Sequence, residues 1–443
     1  MPARAGFHNC GSVWTRMSSQ PQDEDHRRAG SHAYGPGFAR NLRVRAARGA
    51  AWHMAGRFAD QAIRLGVQLV LVRLLAPEDF GLLGMAMVVM AFAVVLRDSG
   101  LPAAVIQRKE IDDVQLSSAF WLNAGIGLLL SVALAAGAPL AAAFYGRPQV
   151  ASILAALAGS VALESLYQLP TAMLRRELDF RRLALGGTAC GVVAGAAAIA
   201  MALAGFGVWS LVARVLIDRA LRAAVFWSIT GWRPRVVFSF AGVKPLLTYG
   251  LPLLGFALLN FCNKQFDYLI VGKVLGPKAL GYYTVAYLMV FMPITQVAQT
   301  LCEVAFPILS AAQENRQRVA ALYLRMVRLL TTITFPMMTG LAALAPVAIP
   351  WAFGQRWAPV VRPVQVFAVL GMLQSVYTTG GLVYRSTGHT KAQLRLMILF
   401  TPLIVGSFAV GVQWGVLGVC VAYCVALAVV SPVWLRTAMT LVN

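Results

Sequence analysis

The sequence has few charged residues. Asp, Glu, Lys and Arg make up 12% of its 443 residues and hydrophobic residues make up 59%, whereas roughly 25% of a soluble domain is charged. This composition excludes a typical cytosolic enzyme. Apolar runs close to the roughly 20 residues that cross a bilayer recur along the chain. Because lipid leaves open strand edges unsatisfied, the sequence predicts an all-α polytopic membrane protein.

Several short motifs of catalysis are also absent. The sequence contains no Walker-type GxxxxGK, no HExxH and no GxSxG, and its six cysteines lack metal-ligand spacing. ATP hydrolysis, metalloprotease chemistry and serine hydrolysis therefore have no support in the sequence. We expect a protein that is not an enzyme and that has no cofactor or metal site.

Twelve apolar segments follow residue 50, and each is long enough to be a membrane span. With an N-terminus on the cytoplasmic side, the inner connections hold 21 basic residues and the outer connections hold six. This asymmetry predicts that both termini are cytoplasmic. The predicted spans are 50–75, 80–98, 117–144, 150–173, 183–204, 207–230, 246–272, 280–308, 327–352, 362–384, 394–413 and 415–440.

The chain divides into an extension and two similar parts. Residues 1–48 are polar and Arg-rich with no apolar core, which predicts a disordered basic extension rather than a signal peptide. VRLLAPEDFGLLGMA at Val72 matches GKVLGPKALGYYTVA at Gly272, at an offset of 200 that grows to 208 further along. This internal repeat predicts two parallel six-helix bundles, 49–235 and 236–443, with a substrate site between them.

Ten charged residues lie well inside the predicted spans. A charge at a helix centre costs about 2.5–3.5 kcal/mol on the insertion scale, so we expect these side chains to avoid lipid and to line the cleft between the bundles. Their three- and four-residue spacings also permit ion pairs within one helix, which is the alternative reading. The ten are Arg57, Asp60, Arg64, Glu164, Arg214, Asp218, Arg219, Lys264, Asp267 and Glu303.

Arg64 and Lys264 occupy equivalent positions in the repeat. Each lies thirteen residues before its outer proline, or about 20 Å along a helix, close to the midplane. Two such cations suit an anionic group such as a diphosphate. We therefore predict that Arg64 and Lys264 bind substrate, together with Arg57, Asp60, Arg214, Asp218 and Asp267. Under the alternative, Arg64 only neutralises Asp60, and Lys264 only Asp267.

A second basic feature is the segment RRELDFRRLA at 175–184. Its four arginines lie between two predicted spans on the cytoplasmic side. Each basic residue near an anionic surface contributes about 1 kcal/mol. We predict that Arg175, Arg176, Arg181 and Arg182 contact lipid headgroups, although plain topology would also place them there.

Several longer motifs carry a family resemblance across residues 48 to about 440. The sequence resembles Wzx-type bacterial lipopolysaccharide and exopolysaccharide exporters, in the branch of the colanic acid and teichuronic acid exporters. These belong to the superfamily of multidrug, oligosaccharidyl-lipid and polysaccharide flippases. The motifs are LLAPEDFGLLGMA (74–86), RDSGLPAAVIQRKEI (97–111), SSAFW (117–121), RRELDFRRLA (175–184), GFGVWSLV (205–212), FDYLIVGKVLGPKALGYY (266–283) and STGHT (386–390).

The resemblance implies a MATE-like fold in the bacterial inner membrane. It also implies translocation of an undecaprenyl-diphosphate-linked glycan from the cytoplasmic to the periplasmic leaflet, coupled to a proton or sodium ion and followed by polymerase or assembly partners. A MATE-like drug or cation efflux transporter is one alternative, and it would favour unpaired carboxylates in the cleft. A membrane glycan polymerase or ligase is another, and it would need a large outer loop that the sequence lacks.

Overall fold

The computed structural model describes residues 36–97, 105, 111–312 and 316–440, and long α-helices account for most of them. The segment Phe240–Ala311 is interrupted at Gly276, whose φ of 81° and ψ of −178° are not helical, so it forms two helices. The described residues thus form twelve long helices. They are α1 Pro36–Leu74, α2 Pro77–Arg97, α3 Asp113–Tyr145, α4 Gln149–Arg176, α5 Phe180–Leu203, α6 Val208–Thr230, α7 240–275, α8 277–311, α9 Arg316–Phe353, α10 Val361–Ser386, α11 Thr390–Gly411 and α12 Gly415–Thr440.

Each predicted span corresponds to one of these helices, so the prediction of an all-α chain with twelve spans is confirmed. One boundary differs. The first helix begins at Pro36, so residues 36–48 are helical rather than part of a disordered extension. Proline suits the first turn of a helix, and the Ala- and Arg-rich stretch after it favours helix. The rest of the predicted extension lies outside the described residues.

Apolar length accounts for most of the membrane crossings. Among the described residues, eight helical stretches are long and apolar enough to span a membrane, and two of them, Ala257–Cys302 and Lys391–Thr440, have 46 and 50 residues. At 1.5 Å per residue, either is about twice the roughly 30 Å of a bilayer core and provides two crossings. Only α1 and α6 fall outside this set.

The helices α1 and α6 differ because both carry several charges, which pair with one another inside the protein. Arg222 of α6 lies 3.7 Å from Asp60 of α1, and its Nη2 donates to the carbonyl of Gly187 in α5 at 3.2 Å. Neutralisation between helices lowers the cost of placing such charges inside a membrane. The same pairing makes α1, α5 and α6 one packed unit.

The chain is thus organised as an N-half, α1–α6, and a C-half, α7–α12. We call the end of the bundle that carries the α1–α2, α3–α4, α7–α8 and α9–α10 connections the distal end. There α2 crosses α8 closely, and one cluster of buried apolar side chains, including Leu71, Met85, Leu280 and Phe367, runs through both halves. The predicted boundary at 235/236 lies in the connection between α6 and α7.

Candidate anion-binding site

The charged residues of α1 and α6 form a connected group that we call the ionic cluster: Asp60, Arg64, Arg214, Asp218 and Arg222. Arg64 is paired with Asp60 one turn earlier. The Nε of Arg222 donates to both carboxylate oxygens of Asp218 at 2.9 Å. Arg222 also approaches Asp60 at 3.7 Å. Asp60 therefore has a second cation nearby besides Arg64.

Arg214 has an amide partner in place of the carboxylate partner that its position in the sequence permits. Its four-residue spacing from Asp218 permits an ion pair, but Asp218 is occupied by Arg222. The Nη1 of Arg214 instead donates to the neutral Oε1 of Gln68 in α1 at 3.3 Å. With three arginines and two aspartates, the cluster has one positive charge in excess.

That excess charge faces a cavity between the halves. The cavity has a volume of about 160 Å³ and is bordered by α1, α6, α8 and the end of α9, including Arg64, Gln68, Arg214, Met289 and Phe353. The side chain of Arg64 is 55% exposed despite its ion pair. Two guanidinium groups are thus available to an anion at one position, and guanidinium matches phosphate oxygens in a bidentate geometry.

Two turns before Arg64 in α1, Arg57 joins the two halves. Its Nη2 donates to the side chains of Gln296 and Gln299 in α8, at 3.3 and 3.2 Å. The three-residue spacing also permits an ion pair of Arg57 with Asp60, whereas these two contacts are to neutral amides of the C-half. Arg57 therefore lies at the contact between the halves, and its role in substrate binding remains a prediction.

A second cavity of about 400 Å³ lies between α2, α4 and α6 of the N-half and α7 of the C-half. Its polar border includes Glu164, Arg219, Asn260, Lys264 and Gln265. Glu164 is held by two cations, Arg97 at 3.0 Å and Arg219 at 3.7 Å. Lys264 approaches from the opposite half, so this cavity is also more cationic than anionic.

Arg64 and Lys264 therefore lie in different cavities. The structure thus separates the two cations that were predicted to bind the same group. The reason is the crossed packing of the repeat: α1 faces α8, whereas α7 faces α2, as the ring contact of Phe92 with Phe261 at 5.5 Å also shows. Arg64 and Lys264, which are equivalent in the repeat, thus border cavities on opposite sides of the contact between the halves.

Asp267 is a clear correction to the predicted site. It is 1% exposed and borders neither cavity. One carboxylate oxygen accepts a hydrogen bond from the hydroxyl of Tyr283 at 2.6 Å, and the other accepts from the backbone N–H of Tyr268 at 2.8 Å. Lys264 is not among the ion-pair partners found in the described residues. The alternative in which Lys264 neutralises Asp267 therefore also fails.

Three of the four predicted interfacial arginines are exposed. Arg181 lies over the ring of Trp52 at 5.6 Å, and Arg182 pairs with Asp179 at 3.3 Å. Arg176 differs because its Nη1 donates to the carbonyl of Val105 at 2.9 Å, which gives it a role in holding the α2–α3 connection. Headgroup contact by Arg175, Arg181 and Arg182 remains a prediction.

Two arginines of the site, Arg97 and Arg222, were not predicted from the sequence. Arg97 is 1% exposed and pairs with Glu164; at the end of a predicted span it resembles an ordinary flanking cation. Arg222 lies four residues after Asp218, the same distance that separates Arg214 from Asp218. That spacing is the signal that could have found it. The side chain of Glu303, the tenth interior charge, lies outside the described residues.

Metal binding has no support within the described part of the chain. No group of three or more His, Cys, Asp and Glu side chains there comes together in a way that could hold an ion. The polar side chains that border the two cavities are mainly those of arginine, lysine and amide residues, and cationic donors of this kind bind anions through charge-assisted hydrogen bonds.

Comparison with known proteins gives a family and a fold. Residues 70–362 match the family described as "Polysaccharide biosynthesis protein". The chain is 26% identical over 390 residues to the lipopolysaccharide biosynthesis protein WzxC of Escherichia coli strain K12, covering 86% of this chain and 78% of that protein.

Two solved transporter structures have the same fold at low sequence identity. The lipid II flippase MurJ, in an inward closed conformation, gives a TM-score of 0.71 at 15% identity over 87% of each chain. A MATE family multidrug resistance transporter, in an inward-facing conformation, gives 0.70 at 16% identity over 86% of this chain and 94% of that one. The predicted MATE-like fold of two six-helix bundles is therefore confirmed.

Proposed function

This chain belongs to the polysaccharide biosynthesis protein family, and from that premise we propose that it is a flippase for a lipid-linked glycan. The cargo is an undecaprenyl-diphosphate-linked oligosaccharide, which moves from the cytoplasmic to the periplasmic leaflet of the bacterial inner membrane. Both termini face the cytoplasm, in agreement with the excess of basic residues in the connections on that side. The cycle involves no covalent chemistry.

The observation that carries this proposal is the excess positive charge of the ionic cluster beside the cavity at α1, α6 and α8. A diphosphate that leaves water needs charge compensation inside the membrane. Arg64 and Arg214 border the same cavity; because Arg222 contacts both Asp60 and Asp218, the three arginines of the cluster exceed its two aspartates by one positive charge. We therefore assign the diphosphate to these two arginines rather than to Arg64 and Lys264.

The second cavity fits the glycan part of the same substrate. Its border combines charged and amide side chains, including Asn260, Lys264 and Gln265, which are hydrogen-bonding groups suited to sugar hydroxyls. The polyprenyl chain stays in the lipid while the halves alternate between two states. A proton or sodium gradient drives the cycle in this proposal, and a polymerase or another assembly partner receives the product.

Efflux of organic cations is the competing function, because a MATE transporter has the same fold. A cation site would favour carboxylates without basic partners. In the described residues that border the two cavities, Glu164 is the acid, and it is paired with Arg97 and Arg219. The balance of charge therefore favours an anionic cargo.

The proposal is tested with purified protein in liposomes. A fluorescent polyprenyl-diphosphate oligosaccharide, its polyprenyl-monophosphate analogue and ethidium are compared, with a membrane-impermeant quencher reporting which leaflet holds the label. We expect transport of the diphosphate lipid and its loss, by about tenfold or more, in Arg214→Gln, because a hydrogen bond to a charged group contributes about 1.5–3 kcal/mol.

The matched control is Arg362→Gln, which removes one exposed arginine at the distal end, outside both cavities. It should transport at the rate of the unaltered protein. Ethidium transport without transport of the diphosphate lipid would replace the proposed function with cation efflux. Equal loss in both arginine variants would remove the assignment of Arg214.

A further inference from the structure

The two repeat segments meet at the distal end in a reciprocal contact. A Cβ added at Gly81 of α2 would lie 1.7 Å from the carbonyl oxygen of Pro277, and one added at Gly281 of α8 would lie 1.8 Å from that of Pro77. Both pairs are separated by the repeat offset of 200. The start of each helix therefore packs against the same point of the other, and only glycine permits that approach.

Two basic side chains near this crossing are related by the same repeat. The Nη1 of Arg73, at the end of α1, donates to the carbonyl of Ala352 at 3.4 Å. The Nζ of Lys273, at the end of α7, donates to the carbonyl of Phe144 and lies 4.9 Å from the centre of the Phe144 ring. The donors differ by 200 in number and the acceptors by 208, which are the two offsets of the repeat.

The acceptors are equivalent in position as well as in number. Ala352 is the next-to-last residue of α9, and Phe144 is the next-to-last residue of α3. The last four carbonyls of a helix have no partner within the helix and carry the negative end of its dipole. A cation placed there makes a favourable contact, and each of these two contacts joins one half to the other.

We propose that Arg73 and Lys273 form a two-fold symmetric latch that holds the distal end closed, and that both contacts must open for the distal side to become accessible. Opening separates α1 from α9 and α7 from α3 together, because the glycine crossing between α2 and α8 lies between them. Each cation then exchanges a helix carbonyl for water. The inference concerns the equilibrium between two states and stands whether or not the cargo is a lipid-linked glycan.

The latch is tested by the accessibility of a buried residue at the crossing. Leu280 of α8 is 0% exposed and lies against Gly84 of α2 and Gly272 of α7. In a variant without the six native cysteines, Leu280→Cys is labelled with a polar maleimide in lipid nanodiscs, where both faces of the protein are reachable. No substrate is present, so the labelling rate reports the latch alone.

The double variant Arg73→Gln with Lys273→Gln should be labelled about three- to thirty-fold faster, because each helix-end contact contributes a modest and separate stabilisation. Each single variant should give a smaller increase, and the two should be similar. The exchange variant Arg73→Lys with Lys273→Arg keeps both positive charges and should be labelled at the rate of the parent.

The matched control is Lys278→Gln with Arg362→Gln, which removes two exposed basic residues from the same end and should leave the rate unchanged. A variant that keeps only the native Cys190, which is 2% exposed inside the N-half, reports loss of packing elsewhere; it should stay unlabelled with the latch removed. Labelling of the latch variant at the control rate would overturn the proposal. An increase in only one single variant, or equal labelling of Cys190, would overturn it as well.

Discussion

The N-half and the C-half share one fold and one mode of contact at the distal end, yet their interiors differ in chemistry. The described interior of the N-half has six arginines and three acids: Arg57, Arg64, Arg97, Arg214, Arg219 and Arg222, with Asp60, Glu164 and Asp218. In the C-half, Asp267 is surrounded by aromatic residues. The centre of the Tyr283 ring lies 5.4 Å from that of Tyr268 and 5.2 Å from that of Phe367.

This difference separates two requirements of the fold. The contact between the halves must work from both sides, so it keeps the symmetry of the repeat. The proposed cargo is one asymmetric molecule, and one half supplies most of the cations that border the two cavities while the interior of the other is rich in aromatic rings. Aromatic pairs add roughly 0.5–1.5 kcal/mol beyond the area they bury, which suits a half that stays rigid while charges in the other bind a ligand.

The largest expected effect comes from changes at the glycine crossing between α2 and α8, which is the symmetric contact between the halves. Gly81→Ala and Gly281→Ala each place a methyl group inside the van der Waals radius of a backbone carbonyl. Each should lower stability by about 3 kcal/mol, the upper end of ordinary overpacking, because backbone cannot move aside as a side chain can. Thermal unfolding in detergent measures this. Gly340→Ala, with open space around it, is the control, and a strong effect in only one half would contradict the symmetry.

The next prediction concerns the ionic interior of the N-half. Arg222→Gln leaves Asp218 without its bidentate partner and Asp60 with Arg64 alone. We expect a loss of about 2 kcal/mol, below the range for fully buried pairs, because both side chains are about a fifth exposed. Arg222→Lys keeps the charge and should lose less. Unfolding temperatures that are equal for the two variants would show that charge at this position is unimportant.

The matching change in the C-half should have a smaller effect. Tyr283→Phe removes the hydroxyl that donates to Asp267 and keeps the ring in its aromatic surroundings. The expected loss is about 1.5 kcal/mol, the contribution of one buried hydrogen bond to an acid. The double variant Tyr283→Phe with Asp267→Asn tests the cause, because it also removes the acid. If the single variant is as stable as the parent, the hydrogen bond is not holding α7 to α8.

The smallest expected effect is at the proximal end, opposite the distal one, where the α4–α5 connection carries the exposed arginines. Changing Arg175, Arg181 and Arg182 to Gln should slow transport by about two- to fivefold in anionic vesicles. The effect is small because the attraction of basic residues to an anionic surface, about 1 kcal/mol each, acts on the membrane rather than on the transport step. Arg176 is left in place because it binds Val105. The transport rate is measured with and without anionic lipid.

The control removes equal charge from the corresponding connection of the C-half, by changing Arg385, Lys391 and Arg395 to Gln. The N-half change should be the more harmful if the anionic part of the substrate approaches through that half. Identical rates for the two triple variants would leave these arginines with a topological role only.

The sequence predicted the helices well because length and apolar composition determine them locally. The repeat was also readable, since Pro77, Gly81 and Arg73 recur as Pro277, Gly281 and Lys273. The partners of the charges were not readable, because spacing within one helix cannot show what another helix brings near. Asp218 has arginines four residues away on both sides, and only the packing of α5 and α6 against α1 selects Arg222.

The same limit explains why the sequence did not show the burial of Asp267 or the separation of Arg64 from Lys264. Sequence symmetry places Arg64 and Lys264 at equal depth, but it does not show that α1 faces α8 while α7 faces α2. Likewise, an acid in a predicted span looks available for binding until Tyr283 and Tyr268 are found on either side of it. The depth of a side chain in the membrane follows from its own helix, whereas its access to a cavity depends on how several helices pack.

The central claim is that Arg64 binds the diphosphate instead of merely neutralising Asp60, and one double variant tests it directly. Asp60→Asn with Arg64→Gln removes both members of the ion pair, so no isolated charge remains from it. Transport of the polyprenyl-diphosphate oligosaccharide is measured in liposomes at equal amounts of folded protein. We expect the double variant to stay at least about tenfold below the parent, as Arg64→Gln alone does, because the ligand is gone in both. Recovery to near the parent rate would contradict the assignment and leave Arg64 as the neutralising partner of Asp60.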